Sequence, residues 1–265
     1  RYIGYDALVP GVEEFRLGQG HRAAFFRDLT QENGQGTPVK LISADWMDGE
    51  SGQNAAQPYH IYTRQLEGKE IRIAVVGLGT LEVPQSLPSY YYSDSQFGHT
   101  DNTGMSYAWE WNHWIWPQLE QQNCDLVVVC CHADQETLEE FAAQTAGIDL
   151  LVSGHGQADM GTLENRDGQM VSWVSSGGTT LTRTEVILSE NGTPVIGESQ
   201  LLRLSDYEND PALAQATAGG QKAQQARAEQ RAGTLSGNWT ETAASATRQT
   251  QAADVVARAM LWHCC

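Results

Sequence analysis

Two histidines, His132 and His155, occupy positions at which metal chemistry could be organised. Each follows an apolar run of strand length, residues 125–131 for the first and residues 148–153 for the second, and residues 135–145 between them have helical spacing. Two strands joined by a helix predict a parallel βαβ unit, whose strands end at one edge of a sheet. Imidazole is a common ligand of divalent metals, so the spacing predicts a two-histidine metal site at this edge.

The histidine pair is not by itself a hydrolytic centre. A two-metal centre needs roughly six to eight ligands, several of them carboxylates, to hold two ions about 4 Å apart. Each histidine taken alone is equally well explained as an ordinary residue at the end of a strand. Asp134 follows His132 closely, but it is predicted to cap the next helix rather than to bind a metal.

The elements around this unit alternate between strands and helices, which predicts an α/β fold. Apolar patterns predict further strands at residues 39–44, 59–64, 71–78, 170–175 and 183–188, and helices at residues 13–26 and 105–119. Asn191 and Gly192 predict a hairpin turn. Residues 205–236 are rich in Ala, Gln and Arg and predict a helical connector, and residues 247–262 predict the start of a further helix.

Four tryptophans lie in the helical pattern before the first histidine strand. Trp111 is in register with the apolar positions and is predicted to lie in the core. Trp109, Trp114 and Trp116 cannot all face the same way, so we expect some of them to be exposed or to cover another part of the protein.

Net charge and cysteine spacing exclude several classes of function. The chain has 33 acidic and 16 basic residues and a net charge of −17, which would repel nucleic acid and anionic membrane surfaces. No apolar run has membrane-spanning length, so we expect no membrane insertion. The five cysteines lack metal-binding spacing and do not indicate a disulfide framework.

A glycine pair after one strand suggests a rival function. Gly77 and Gly79 follow the predicted strand as in a dinucleotide-binding turn, but Glu82 stands where a third glycine is needed. Pro84 and Pro88 exclude a helix directly after it. The motif therefore does not predict a dinucleotide site.

The order of the motifs resembles the 5'-nucleotidase and calcineurin-like metallophosphoesterase family. The segments CHAD and GIDLLVSGHGQ are similar to the family signature SH-x-G…GIDLIIGGHTH, and YDALVPGVEEF lies where the family has its GNHEF turn. KLISADW, IRIAVVGLGT and SSGGTTLTRTEVIL resemble later strands of the metal domain, and RQTQAADVVARAM resembles the first helix of the C-terminal domain. The resemblance covers nearly the whole chain in the family's order.

The resemblance implies an α/β fold with a metallophosphoesterase-type sandwich of mixed β-sheets flanked by helices, then a helical connector and the first helix of a C-terminal domain. The implied domains are residues 1–204, 205–239 and 240–265. The family's D-x-H and G-D motifs precede the GNHE turn, so we expect a truncated member that lacks the N-terminal strands, with N-terminal and C-terminal segments of the same polypeptide missing. A strand edge and apolar surface would then be exposed.

The resemblance also assigns the site residues. His132 and His155 match metal ligands of the family. Val12 replaces the metal-binding Asn of the turn, Glu13 replaces the catalytic His, and Gln157 replaces the final His of the signature. Glu13 and Gln157 are thus weak candidates for metal binding or acid/base work, and a solvated carboxylate is the alternative for Glu13. The catalytic residue is unknown.

Two functions follow from the resemblance. The first is hydrolysis of phosphate esters of nucleotides by a water that a divalent metal (Mn²⁺, Zn²⁺ or Mg²⁺) activates, with a small-molecule phosphate ester as substrate and no nucleic acid as partner. The second is a catalytically inactive relative that acts as a binding or scaffold module and needs no metal. The family also implies export to the periplasm, the cell surface or the medium.

Overall fold

The computed structural model describes residues 4–31, 38–66, 68–156, 162–164, 170–175, 179–189 and 194–229. The chain divides into two compact units, residues 1–208 and residues 209–265. The predicted helix at 247–262 and the turn at Asn191 and Gly192 lie outside the described residues. The predicted domain boundaries at 204 and 239 stay predictions.

Short strands and short helices alternate along much of the described chain. The strands are β1 (Ala7–Leu8), β2 (Lys40–Leu41), β3 (Trp46–Asp48), β4 (Tyr59–Leu66), β5 (Lys69–Leu78), β6 (Ser95–Phe97), β7 (Leu126–Cys131), β8 (Leu150–Gly156), β9 (Thr162–Glu164), β10 (Met170–Ser175), β11 (Thr180–Leu188) and β12 (Pro194–Arg203). The α-helices are α1 (Val12–Arg16), α2 (Gly18–Thr30), α3 (Val83–Ser86), α4 (Tyr107–Glu110), α5 (Trp116–Leu119), α6 (Gln135–Gln144) and α7 (Pro211–Ala228). A π-helix spans Trp111–Ile115, and 3₁₀ turns span Ser89–Tyr91, Glu120–Gln122 and Leu204–Asp206.

The central sheet has six strands in the order β4-β5-β7-β8-β10-β9. Strands β5, β7, β8 and β10 are parallel, while β4 pairs antiparallel with β5 and β9 antiparallel with β10. The predicted βαβ unit is confirmed as β7, α6 and β8, and Val128 pairs with Leu150 in its register. The parallel strands therefore end at one edge, which is the edge that carries His132 and His155.

Three smaller pairs surround this sheet. Strands β1 and β2 are parallel, β3 and β6 are antiparallel, and β11 and β12 form an antiparallel pair. The strand predicted at 39–44 was too long, because its second half bonds elsewhere: the backbone N–H of Ser43 donates to Gln57 and that of Ala44 to Gly77.

The main core lies between the central sheet and the helices that cover it. Trp111 is fully buried there, as predicted, and its indole N–H donates to the carbonyl of Ala146 at 2.9 Å. Trp114 is exposed on the same π-helix. Cys131 also lies in this core, and burial raises the pKa of its thiol well above the ordinary value, which makes it a poor nucleophile.

A second core joins α1 and α2 to the β3–β6 pair. Phe15 contacts Trp46 edge to face, with ring centroids 5.3 Å apart. The buried Arg22 guanidinium lies 4.4 Å from the Phe15 ring and donates to the carboxylate of Asp94 at 2.5 and 2.7 Å. Gly18, at φ +72°, divides the helix predicted at 13–26 into α1 and α2.

One helical expectation was wrong: the single turn α3 forms where Pro84 and Pro88 were expected to exclude a helix, because Pro84 stands in its first turn, where no backbone N–H is needed. The other helical predictions hold in outline. The helix predicted at 105–119 consists of α4, the π-helix and α5, and the connector predicted from residue 205 contains α7, which Asp210 caps. No described helix has both the length and the apolar character needed to cross a bilayer. The expected exposed strand edge stays a prediction.

Candidate metal site at the carboxyl edge of the sheet

The structure brings His132 and His155 into contact. Their ring centroids lie 4.3 Å apart, with 42° between the ring planes. His132 follows β7 directly and its backbone N–H donates to the carbonyl of Leu78, while His155 lies near the end of β8. Ser153 connects the two strand ends, because its hydroxyl donates to the carbonyl of Ala133 and accepts the backbone N–H of His155.

Two glycines let the backbone pass against the His132 side chain. A Cβ atom on Gly11 would lie 2.6 Å from Nδ1 of His132, and one on Gly79 would lie 3.0 Å from the His132 Cβ. Real Cβ atoms do not approach a ring so closely, so a larger residue at position 11 would displace the imidazole. The glycine pair that suggested a dinucleotide site is thus a site of close backbone packing: a Cβ on Gly77 would strike the carbonyl of Ile42.

The His132 imidazole is neutral, and one of its ring nitrogens is not used in a hydrogen bond to the described residues. Its Nε2 atom is buried and has no hydrogen-bond partner among the described residues. Burial, followed by the neighbouring His155, lowers the pKa of His132 to about 4. The imidazole is therefore uncharged at neutral pH, which is the form that binds metals.

Two carboxylates lie beside the histidine pair. Asp134 caps α6, as predicted: it accepts the backbone N–H of Thr137 at 2.8 Å, and this bond lowers its pKa. Burial raises the pKa of Glu82, and the neighbouring His155 opposes that shift. Both carboxylates line a cleft of about 280 Å³ together with Tyr107. Sequence reasoning missed Glu82 because no metal-ligand spacing marks it.

A fully buried carboxylate, Asp45, holds the loop that follows β5. It accepts the backbone N–H of Thr80 at 2.6 Å, that of Gly79 at 3.0 Å and the hydroxyl of Ser43 at 2.9 Å. Burial raises its pKa, although each of these hydrogen bonds acts against that shift. Asp45 thus fixes the glycine that packs against His132, and no motif in the sequence marks this role.

The substituted positions of the α1 turn have partners other than the two imidazoles. Val12 is buried in the second core, where Phe15 also lies. The exposed Glu13 side chain forms an ion pair with Arg16 at 3.5 Å, and its neighbour Glu14 accepts the backbone N–H of Gly11 at 2.8 Å. Glu13 makes its ion pair with Arg16 rather than with the histidine pair. Its predicted acid/base role stays a prediction. Gln157 lies outside the described residues.

The donor atoms present set what the site could hold. Ring centroids 4.3 Å apart place two imidazoles, each a potential nitrogen ligand of one ion, side by side. The described residues contain no group of three or more His, Cys, Asp or Glu side chains arranged to share an ion. The histidine pair therefore supplies at most two ligands of a single ion, and the described residues do not form a dinuclear centre.

Comparison with known proteins identifies the fold. No protein-family model and no curated protein matches the chain. Solved structures do match: a sulfate thiohydrolase, SoxB, from Thermus thermophilus has a TM-score of 0.64 and 19% identity over 85% of this chain and 38% of its own. A 5'-nucleotidase precursor, also from Thermus thermophilus, has a TM-score of 0.64 and 19% identity over 85% of this chain and 44% of its own. This chain has the metallophosphoesterase fold.

The same fold appears in a further solved structure. A putative 5'-nucleotidase from Staphylococcus aureus has a TM-score of 0.60 and 17% identity over 80% of this chain and 41% of its own. The motif resemblance is thus confirmed for the metallophosphoesterase fold. This chain spans less than half the length of each of these structures.

Proposed function

We propose that this protein hydrolyses phosphate esters of small molecules, such as nucleotides, in a divalent-metal-dependent reaction. The observation that carries the proposal is the contact between His132 and His155 at the carboxyl edge of a metallophosphoesterase sheet, with Nε2 of His132 unpartnered. The two imidazoles would hold the ion. Such an ion polarises a phosphoryl oxygen and lowers the pKa of a bound water.

The residues around the pair support cation binding. The close backbone at Gly11 and Gly79 holds the His132 ring in place, and Ser153 ties the two strand ends together. The negative charges of Glu82 and Asp134 favour a cation beside His155. Which of Mn²⁺, Zn²⁺ and Mg²⁺ the site would bind depends on ligands other than these two nitrogens.

A second candidate is a catalytically inactive binding module with the same fold. Val12 has no donor atom, and Glu13 pairs with Arg16 in solvent, so neither supports the turn chemistry that the resemblance implies. This module would use the cleft beside Glu82 and Asp134 without turnover. Export is part of both proposals, and the precursor status of the Thermus thermophilus nucleotidase supports it.

The deciding experiment is hydrolysis of p-nitrophenyl phosphate and of nucleoside monophosphates by the full chain with added Mn²⁺ or Zn²⁺. We expect turnover that EDTA abolishes. His132→Ala and His155→Ala should each reduce it by at least about 100-fold, the upper end of the loss caused by removing a hydrogen-bond partner of a metal ligand. His113→Ala is the matched control, because His113 is exposed on the π-helix and makes no contact with the pair.

The outcomes separate the two candidates. Metal-dependent turnover lost with either site histidine supports hydrolysis. No turnover, together with metal binding that His132→Ala abolishes, supports the inactive module. Turnover that survives both histidine substitutions would contradict both proposals for this site.

A further inference from the structure

A third histidine, His99, is held by a buried carboxylate on another part of the domain. Nδ1 of His99 lies 2.6 Å from Oε2 of Glu110, whose side chain has no exposed surface. The same carboxylate accepts the backbone N–H of His99 at 2.7 Å and an amide N–H of Asn102 at 3.0 Å. In the neutral imidazole, a carboxylate that accepts from Nδ1 holds the proton there and leaves Nε2 as a hydrogen-bond acceptor.

The His99 ring is also fixed on its face. It stacks on the indole of Trp114, with centroids 4.0 Å apart and 7° between the planes. Gly98, at φ +72°, precedes it, and a Cβ there would lie 2.9 Å from Oε1 of Glu110. No described residue is recorded as a hydrogen-bond partner of Nε2. The acceptor therefore has a set orientation and is free to bind a ligand.

His99 lines a cavity of about 130 Å³. Apolar and aromatic walls come from Pro58, Tyr59, Trp114 and Ile115. An apolar cavity of about 150 Å³ holds one benzene molecule, so a space of this size fits a single six-membered ring.

The polar groups of this cavity are two amides and the imidazole of His99. The amide N–H of Asn54 donates to the carbonyl of Ala44 at 3.2 Å, and that of Gln118 donates to the carbonyl of Trp114 at 2.6 Å. Each amide keeps its oxygen as an acceptor and its second N–H as a donor, so the group that is fixed as an acceptor is Nε2 of His99. A ligand N–H that meets this nitrogen is therefore the favoured polar contact, and the net charge of −17 favours a cation.

We propose that the cavity between His99, Tyr59 and Trp114 is a binding site for a small aromatic amine or amidine. Its N–H donates to Nε2 of His99, and its ring packs against the aromatic wall. This site is separate from the His132–His155 pair and does not depend on the proposed hydrolysis.

The test is a titration of the full chain with benzamidine, in which isothermal calorimetry measures the heat of binding. We expect saturable one-to-one binding with a Kd of about 1 mM or tighter, as suits a ligand of this size. Benzoate has the same ring and the same planar shape but opposite charge and no N–H donors, so we expect it not to bind. The variant His99→Phe keeps a ring to stack on Trp114 and lacks Nε2, and we expect at least a tenfold loss of affinity.

His113→Phe is the matched control, because His113 also stacks on a tryptophan, Trp109, but has no carboxylate behind it. We expect this variant to bind benzamidine like the wild type. Absence of benzamidine binding, equal binding of benzoate, or full affinity in a folded His99→Phe variant would overturn the proposal. If His99→Phe fails to fold, the exposed Gln118→Leu substitution decides, since unchanged affinity there would also overturn it.

Discussion

The carboxylate of Asp45 accepts the backbone N–H of Thr80 at 2.6 Å, inside the protein and out of contact with solvent. This bond ties the turn after β2 to the loop after β5. The loop includes Gly79, against which His132 packs. The position of a candidate metal ligand thus depends on a buried acid that is remote from it in sequence.

Asp45→Asn should change the pH dependence of stability. Burial raises the folded-state pKa of Asp45 above 3.8, so the folded state holds its proton more tightly than the unfolded state. The stability that Asp45 contributes relative to Asn is therefore complete below pH 3.8 and is lost as pH rises through the folded pKa. Urea unfolding of both proteins at about pH 4 and about pH 8 measures the difference.

Asp48→Asn is the opposite control for that measurement. Hydrogen bonds from Ser51 lower the pKa of Asp48, so its contribution is present above pH 3.8 and is lost as pH falls through the lowered folded-state pKa. Between about pH 4 and about pH 8 the stability difference for Asp45→Asn should change, whereas that for Asp48→Asn should stay nearly constant, because the Asp48 contribution is lost only below pH 3.8. A pH-independent difference for Asp45→Asn would mean that the Asp45 pKa is not raised.

Gly11→Ala should destabilise the protein and disturb the His132 ring. The new Cβ meets the imidazole at 2.6 Å, and such overpacking costs about 1–3 kcal/mol. Gly20→Ala is the matched control, because nothing lies within 4 Å of its Cβ position in α2. There we expect a gain of about 0.5–1 kcal/mol, the usual difference between Ala and Gly in a helix. Chemical denaturation of both variants checks the contrast, and equal effects would contradict it.

Arg22→Met should cost far more stability than Arg27→Met. The Arg22 side chain is 2% exposed and bonds Asp94, so its removal leaves a partly buried carboxylate unpaired at a cost of about 3–5 kcal/mol. The Arg27 side chain is 58% exposed and meets Asp28 at 3.7 Å, a surface pair worth about 0–1 kcal/mol. Thermal unfolding of the two variants measures the difference, and similar losses would show that Arg22 does not anchor α2.

Divalent metal should raise the unfolding free energy if the histidine pair binds it. At a free concentration of about 100 times Kd the expected gain is about 2.7 kcal/mol, provided that the unfolded chain does not bind. Calorimetric scans with Mn²⁺ or Zn²⁺ and with EDTA test this. The gain should vanish in His155→Ala and persist in His60→Ala, since His60 lies on the β4 edge strand and contacts Tyr62. A gain that survives in His155→Ala would place the ion elsewhere.

The local elements of the site could be predicted from sequence, because their signals are periodic. The apolar runs and the helix between them were enough to place His132 and His155 at one edge, and the Asp134 cap follows from its position before the helix. Asp45 and Glu82 could not be found in this way. Their roles arise from contacts between segments distant in sequence, and an isolated carboxylate carries no periodic pattern.

The details of the surrounding segments depended on tertiary contacts as well. The strand expected at 39–44 loses its second half because the backbone there bonds to Gln57 and to Gly77. Nothing in the sequence of α2 indicated that Arg22 would be buried against Phe15. Burial of a long cation follows from its partner Asp94, which only the folded chain brings near.

The antiparallel β4–β5 pair sets the order in which the sheet can assemble. Leu66 pairs with Lys69, three positions further along the chain, whereas the parallel partner of β5 begins with Leu126 opposite Ile73. Closing the longer segment costs more chain entropy, so the hairpin can form early and offer β5 as a template for β7. Pulse-labelled hydrogen exchange should accordingly find the amides shared by β4 and β5 protected before those shared by β5 and β7, and the reverse order would exclude a hairpin-first route.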